Sequence, residues 1–136
     1  LSAQAAIESP AAATVARCDG ASPLLAICNA TVALYKQAFG RGPTKVRAHY
    51  ASPDTIVVLL EQTLTGAERN LAALGEQDRL RESRLIVQRA LEDRLRDIVE
   101  ATLGRRAIGV MSAIDVDRDV CAEILTLEPR AGASAV

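Results

Sequence analysis

The chain has 136 residues, of which 49% are apolar and 24% charged, and its formal net charge is −1. This length predicts one domain that can bury a substantial core. The near-neutral charge excludes a global attraction to nucleic acid or anionic lipid. Two Tyr and one Phe are also too few for a platform on which bases stack, so no nucleic-acid partner is expected.

The chain lacks the sequence features of membrane insertion, secretion and metal binding. No apolar run approaches the about 20 residues that a membrane helix needs. The N-terminal segment has neither the basic start nor the long apolar core of a signal peptide. Cys18, Cys28 and Cys121 lie far apart and form no CxxC motif, so we expect reduced thiols; a disulfide between two of them is an alternative that no pattern supports. We therefore expect a cytoplasmic protein without a metal or a cofactor.

The N-terminal third of the chain begins with a weakly patterned segment and continues with a helix. Residues 1–21 are rich in Ala, which predicts a flexible N-terminal arm; a docking arm for a partner is the alternative. Ser22 is a suitable N-cap. Apolar residues at helical spacing then predict a helix from Leu24 to Phe39, and Gly40 provides its end.

Strand patterns follow this helix. Residues alternate between apolar and polar from Lys45 to Tyr50, which is typical of a half-buried strand. The segment from Thr55 to Leu60 is apolar and β-branched, which predicts a more central strand. The short connection between these two segments indicates that they form an antiparallel hairpin.

Two helices are predicted next. Thr65 and Glu68 form the pattern of a capping box, which starts a short helix that ends near Leu74. The stretch from Gln77 to Leu103 contains no Gly or Pro and reads as one long helix. Its apolar stripe is interrupted by Arg84.

Two further strands, 106–113 and 120–127, complete the order α-β-β-α-α-β-β. The simplest assembly is an α+β domain over residues 22–129, with one four-stranded antiparallel sheet and the helices packed on one face. Residues 130–136 are predicted to be a flexible tail. The segments Phe39-Gly40-Arg41 and Leu103-Gly104-Arg105 each end a helix and open a hairpin, so the two units are either an internal repeat or similar by chance.

The turn Gly40-Arg41-Gly42-Pro43-Thr44-Lys45 is the most distinctive candidate for a binding site. It does not match a Walker A loop, because its spacing is wrong and it follows a helix and precedes a strand. A looser anion site would use the amides of the turn with Arg41, Lys45 and Arg47 to bind a carboxylate, phosphate or bicarbonate. The alternative is a shaped turn followed by a solvated basic strand.

Other polar groups give weaker signals. His49 is the only histidine, and no nucleophile is marked near it. The turn Asp115–Asp119 resembles the start of a calcium loop but lacks its Gly and its Glu. We therefore expect no enzyme activity. Leu85 and Ile86 widen the stripe of the long helix and are either core or a self-association face, and a homodimer through this helix or a sheet edge is expected.

Several segments resemble the MpsC-like family. They are Ile27 to Val46 (ICNATVALYKQAFGRGPTKV), Val57 to Leu71 (VVLLEQTLTGAERNL), the Leu103-Gly104-Arg105 step, the Asp-rich turn and the closing Leu127-Glu128-Pro129. The name of this family ties it to a bacterial sodium-translocating, membrane-potential-generating system whose other parts are linked to inorganic-carbon uptake. The resemblance implies a soluble accessory protein rather than the translocator, and it implies no catalytic residues.

We therefore expect a non-catalytic adaptor that binds a membrane-protein partner, either cytoplasmic or peripheral to the inner membrane through that partner, without inserting into the bilayer. The alternative is a small-anion or nucleotide sensor that uses the turn from Gly40 to Lys45. The predicted binding residues are Gly40, Arg41, Gly42, Pro43, Thr44, Lys45, Arg47, Glu61, Thr65 and Glu68.

Overall fold

The computed structural model describes residues 15–18 and 22–130. Its elements, in chain order, are β1 (Val15–Cys18), α1 (Ser22–Phe39), β2 (Lys45–Ser52), β3 (Thr55–Glu61), α2 (Gly66–Ala73), α3 (Gln77–Ala90), α4 (Glu92–Leu103), β4 (Ala107–Asp115) and β5 (Val120–Leu127). The predicted α+β class is confirmed.

The strands form one sheet in the order β1-β2-β3-β5-β4. Strands β2 and β3 form one antiparallel hairpin, β4 and β5 form the other, and β3 pairs antiparallel with β5 at the centre. The predicted four-stranded antiparallel sheet is thus confirmed. A fifth strand was not predicted: β1 pairs parallel with β2 and lies within the segment predicted to be an arm. The rest of that segment, and residues 131–136 of the predicted tail, lie outside the described residues.

The helices pack on one face of this sheet because the strands present apolar side chains to that face at every second position. On β3, Ile56, Val58 and Leu60 are fully buried against the helices. Each buried side chain of this size contributes about 1.5–3 kcal/mol relative to an exposed one. The residues between them point to the opposite side of the sheet. We call that side the open face, because none of the described helices packs on it.

The prediction of a single helix over residues 77–103 was wrong in one respect, because this stretch is divided into α3 and α4 at Leu91. The division is slight: the Leu91 amide donates to the carbonyls of Val87 and Gln88, and the Leu91 carbonyl accepts from Leu95 at 3.0 Å. The two halves have different neighbours, since α3 contacts α2 and β4 whereas α4 contacts α1 and β4.

The division also shifts which residues of the long helical stretch are buried. Gln88 and Val99 are buried, whereas Val87 and Ile98 are only partly buried. Ile86 is mostly exposed, so it is not part of the core of the domain.

The helix ends that the sequence indicated are observed. Thr65 and Glu68 form the capping box at the start of α2. Gly40 and Gly104 both have positive φ, of 77° and 65°, and each donates its amide to a carbonyl four residues earlier in the preceding helix. A non-Gly residue at positive φ would be strained, which explains Gly at both helix ends.

The two helix–hairpin units also share a contact. Arg41 follows Gly40 and donates through Nε to the carbonyl of Gln62, directly after β3. Arg105 follows Gly104 and donates through Nη2 to the carbonyl of Glu128, directly after β5. In each unit the Arg therefore joins the end of the helix to the end of the hairpin.

Candidate functional site

The Gly40–Thr44 turn packs closely against the end of α1. Pro43 is buried, and a Cβ atom on Gly42 would lie 3.5 Å from a methyl group of Val32. The amide of Gly40 donates to Lys36, and the amide of Thr44 donates to the carbonyl of Glu61 at 3.0 Å. These two donors are thus already used within the protein and are not available to an anion.

Gln62 completes this corner of the molecule and was not among the predicted residues. Its carbonyl accepts from Arg41 Nε at 3.3 Å, and its side-chain oxygen accepts from the Thr44 hydroxyl. Gln62 has a φ of 61°, in the left-handed region that non-Gly residues rarely adopt. Nothing in the sequence marks this conformation, because Gln has no special preference for it.

Lys45, Arg47 and Glu61 lie on the open face, where they alternate with the buried residues of β2 and β3. Arg47 Nη2 lies 2.8 Å from Glu61 Oε2, and both side chains reach solvent. An exposed ion pair of this kind contributes less than about 1 kcal/mol, because water and salt screen it. Of the three predicted basic residues, only Arg41 therefore remains at the Gly40 corner.

Thr65 and Glu68 are held by contacts within the protein. The carboxylate of Glu68 accepts from Arg84 at both oxygens, with distances of 2.8 Å and 2.7 Å. Burial acts to raise the pKa of Glu68, but the hydrogen bonds from Arg84 and Thr65 outweigh it and lower the pKa. The side chain of Glu68 therefore positions the protein backbone and is only partly accessible.

Arg84 joins four segments of the chain. It is 1% exposed, and its Nη2 also donates to the carbonyl of Thr63 at 2.7 Å. Its guanidinium lies 3.7 Å from the ring centre of Phe39, the last residue of α1. Arg84 thus connects α3 to the start of α2, to the loop after β3 and to the residue before Gly40.

The turn between β4 and β5 holds the same loop from the other side. Asp119 Oδ1 accepts from the amides of Thr63 and Leu64 at 2.8 Å and 3.1 Å. Asp115 accepts from the amide of Arg118 within its own turn. Residues 15–18 and 22–130 contain no group of three His, Cys, Asp or Glu side chains that could hold a metal ion.

A second polar cluster lies inside the domain. Glu123 is fully buried on the helix side of β5, and it accepts from Tyr35, from Gln88 Nε2 at 3.1 Å and from Ser112 Oγ at 2.5 Å. Burial raises the pKa of the Glu123 carboxyl, and the three hydrogen bonds offset only part of this effect. Burial likewise raises the pKa of the Tyr35 hydroxyl. The cluster therefore links α1, α3, β4 and β5 out of reach of solvent.

Sequence reasoning missed this cluster, although one signal was present. Glu123 occupies a core-facing position in the alternating pattern of β5, where an apolar residue is expected. Gln88 lies four residues after Arg84 on the buried side of α3. Two polar residues at core positions in separate elements indicate a buried hydrogen-bonded pair.

Two exposed leucines lie at the junction of α2 and α3. Leu74 is 76% exposed and Leu71 is 44% exposed. They border a groove of about 430 Å³, which we call the α2–α3 groove. Its lining residues are Glu68, Leu71, Leu74, Glu76, Arg79, Leu80 and Ser83.

The predicted site is therefore divided into three places. The turn from Gly40 to Thr44 forms a corner with Gln62, Lys45 and Arg47 lie with Glu61 on the open face, and Glu68 reaches from the capping box to the α2–α3 groove. His49 lies on the open face, beside Val57. None of the helices described between residues 22 and 130 has the length and apolar character of a bilayer-spanning segment.

Comparison with known families gives one match. Residues 25–129 match the family model described as Na⁺-translocating membrane potential-generating system (MpsC). This range includes every predicted site residue and all the elements from α1 to β5, except for the first residues of α1. Neither the curated proteins nor the solved structures gave a match.

The first prediction concerns the Arg84–Glu68 pair. Replacing Arg84 with Met should lower the free energy of unfolding by about 3 kcal/mol, because it leaves a partly buried carboxylate unpaired and the Thr63 carbonyl without a donor. Glu68→Gln should also lower the free energy of unfolding, because it leaves the buried guanidinium of Arg84 without its counter-charge, although Gln can still complete the capping box. Equilibrium urea unfolding measures both changes.

The double variant R84M/E68Q provides the control for this interaction. Its loss should be smaller than the sum of the two single losses, because the neutral Gln no longer leaves a charge unpaired. Strictly additive losses would contradict the pairing.

The second prediction concerns pH. The folded-state pKa of Glu123 lies above the unfolded value of about 4.5, so the folded protein holds this proton to higher pH than the unfolded chain does. The stability contributed by Glu123 is therefore full below about pH 4.5 and is lost as the pH rises through the folded pKa. Glu123→Gln removes this loss, so the variant should gain stability relative to the natural protein between pH 4 and pH 8, measured by urea unfolding.

The difference in free energy of unfolding between the natural protein and Glu123→Gln reports on Glu123 alone. Glu68, whose pKa is lowered, contributes the same pH dependence to both proteins. Glu123→Ala should instead lose about 1–3 kcal/mol below about pH 4.5, since it leaves buried donors without an acceptor, and this loss should shrink as the pH rises, because Ala does not titrate. Parallel pH profiles for the natural protein and Glu123→Gln would contradict the raised pKa.

Proposed function

This chain belongs to the MpsC family, and from that premise we propose that it is a non-catalytic accessory protein of a membrane-potential-generating or inorganic-carbon and sodium transport system. It acts as a homodimer that binds a membrane-protein partner from the cytoplasmic side. The observation that carries this proposal is the α2–α3 groove, where Leu71 and Leu74 expose apolar surface beside charged residues.

The groove has the character of a protein-binding surface. An apolar centre with a polar rim is the usual arrangement of an interface, and here the rim includes the Glu76–Arg79 ion pair at 3.4 Å. Covering the exposed leucines would recover about 25 cal/mol for each Å² of apolar surface removed from water. The occupant that fits is an apolar, amphipathic segment of the partner, which would bind as a helix in a groove.

The groove is held rigidly relative to the rest of the domain. Glu68, which lines it, is bound by Arg84, and Arg84 in turn contacts Phe39 and Thr63. Because these contacts fix α2 against α3, little ordering cost is expected when a partner binds. A preformed surface of this kind suits an adaptor.

Binding is better supported than catalysis by the state of the reactive groups. Glu123, whose pKa is raised, is sealed beneath the helices. Burial raises the pKa of the Cys121 thiol to about 11, which keeps it protonated and unreactive. Neither group is placed to meet a substrate.

The alternative, a small-anion or nucleotide sensor at the turn from Gly40 to Lys45, has less support from the geometry. The amides of Gly40 and Thr44 already donate to protein carbonyls, and Lys45 points to the open face, away from the corner. A sensor would nevertheless gain thermal stability with phosphate, bicarbonate or a nucleotide, because a ligand that binds only the folded state raises its stability.

The third prediction tests the adaptor proposal by capture from detergent-solubilised membranes of the native host. Leu71→Glu should lower the recovery of a membrane protein by about tenfold or more, because it places a charge in the apolar part of an interface. Leu25→Glu is the matched control, since Leu25 is 43% exposed on α1, far along the chain from the groove. Mass spectrometry of the captured proteins provides the measurement.

Equal recovery with the Leu71 and Leu25 variants would contradict the groove as the binding surface. A thermal shift with an anion that is lost in the variant R41E/K45E, together with no captured membrane protein, would favour the sensor instead.

A further inference from the structure

The two central strands carry apolar residues on both sides, although the helices described between residues 22 and 103 cover only one side. The sequence of β3 is TIVVLLE and that of β5 is VCAEILTL. An antiparallel strand with one solvated face normally alternates apolar and polar residues, whereas continuous apolar runs are typical of strands buried on both faces. The open face therefore carries the pattern of a covered surface.

The pairing register defines the centre of this face. His49, Val57, Ile124 and Met111 lie side by side in one row across β2, β3, β5 and β4. The adjacent row consists of Arg47, Leu59, Ala122 and Ala113. Six neighbouring apolar residues thus form a continuous patch, of which Met111 is 61% exposed.

The charges on the open face are separated across it. Lys45 and Arg47 lie on β2, whereas Asp115 lies on β4 in the same row as Lys45. Between them in that row are Glu61, which is paired with Arg47, and Val120. The face is therefore basic on the β2 side, apolar in the middle and acidic at one end of the β4 side.

We propose that the open face is the homodimer interface, at which it packs against the open face of a second copy of this chain. The two copies are related by a two-fold axis that lies between the two sheets and runs parallel to the strands. The inference rests on the homodimer of the proposed function and specifies its surface. It does not depend on the identity of the membrane partner, because a purified chain is enough to form it.

The charge distribution selects this axis. A two-fold axis parallel to the strands keeps each row opposite the same row and exchanges the two sides of the sheet. Lys45 then faces Asp115 of the second copy, twice in the dimer, and Val57 faces Ile124. Opposite charges in register favour association and determine its orientation.

The other two-fold axis, perpendicular to the strands, gives a poorer fit. It places β2 of one copy over β2 of the other, so that Lys45 and Arg47 of both copies lie on the same side of the interface. Like charges brought together in this way oppose association. The face is thus complementary to itself in only one of the two arrangements.

The size of the face is also suitable. Four strands about 4.8 Å apart, each presenting about seven residues at about 3.3 Å per residue, give a projected area of roughly 440 Å². The accessible area is larger, because the side chains stand out from the sheet. This accessible area approaches the roughly 600–800 Å² per partner of stable interfaces. Two sheets that pack face to face in this way form a sandwich with about 10 Å between their backbones.

The fourth prediction is tested by sedimentation equilibrium of the full chain. The natural protein should be a dimer, and Met111→Lys should raise the dimer Kd by about tenfold or more, because the axis sets each new ammonium group opposite His49 and beside Arg47 on the basic side of the second copy. Met111 is well exposed in a single copy, so the variant should fold normally, which circular dichroism verifies. Ile86→Lys on α3 is the matched control, since Ile86 is 60% exposed, and it should leave Kd unchanged.

The two lysines of the chain test the orientation of the dimer. Lys45→Glu should raise Kd by about tenfold or more, because it sets a carboxylate opposite Asp115, and the effect should shrink in high salt. Lys36→Glu, at the exposed end of α1, is the control and should have no effect.

A monomeric natural protein would overturn the proposal. Dissociation by Ile86→Lys but not by Met111→Lys would also overturn it and would place the interface on α3. Equal Kd values for the Lys45 and Lys36 variants would overturn the axis parallel to the strands. Failure to capture a membrane partner would leave all of these results unaffected.

Discussion

The buried guanidinium of Arg84 is the contact on which the arrangement of the exposed surfaces depends. It binds the carboxylate of Glu68, the carbonyl of Thr63 and the ring of Phe39, and these lie in three segments that share no backbone hydrogen-bond ladder. A buried charge is costly unless its hydrogen bonds are satisfied. Any other arrangement of α2, α3 and the loop after β3 would leave the charge of Arg84 unpaired. Arg84 therefore determines the relative positions of these segments as much as it contributes stability.

The elements with strong local signals could be predicted from the sequence. The capping box of Thr65 and Glu68, the glycines at positions 40 and 104, and the alternation in β2 each depend on neighbouring residues, and the structure contains all of them. That the two hairpins share one antiparallel sheet followed from the same information, because two hairpins with helices before them have few simple assemblies. Neighbouring residues were sufficient to predict the elements whose backbone conformation depends on them alone.

The features that were missed depend on residues far apart in the chain. The division at Leu91 reflects the different neighbours of α3 and α4, and no Gly or Pro marks it. The pairing of Asp119 with Thr63 and Leu64 joins positions more than 50 residues apart. The predicted anion site at the Gly40 turn depended on free amides, and their partners Lys36 and Glu61 could be identified only from the fold.

In a sheet with one covered face, the covered side is usually apolar and the other side polar. Strand β5 departs from this rule on both of its sides. The covered side contains Glu123, whose hydrogen bonds to Tyr35, Gln88 and Ser112 require one relative position of helices and sheet. The uncovered side presents Ala122 and Ile124. A buried polar network costs stability and fixes geometry, whereas an exposed apolar patch gains stability only when something covers it. The inner side therefore determines the shape of the sheet, and a sheet of fixed shape is what the proposed dimer requires of the outer side.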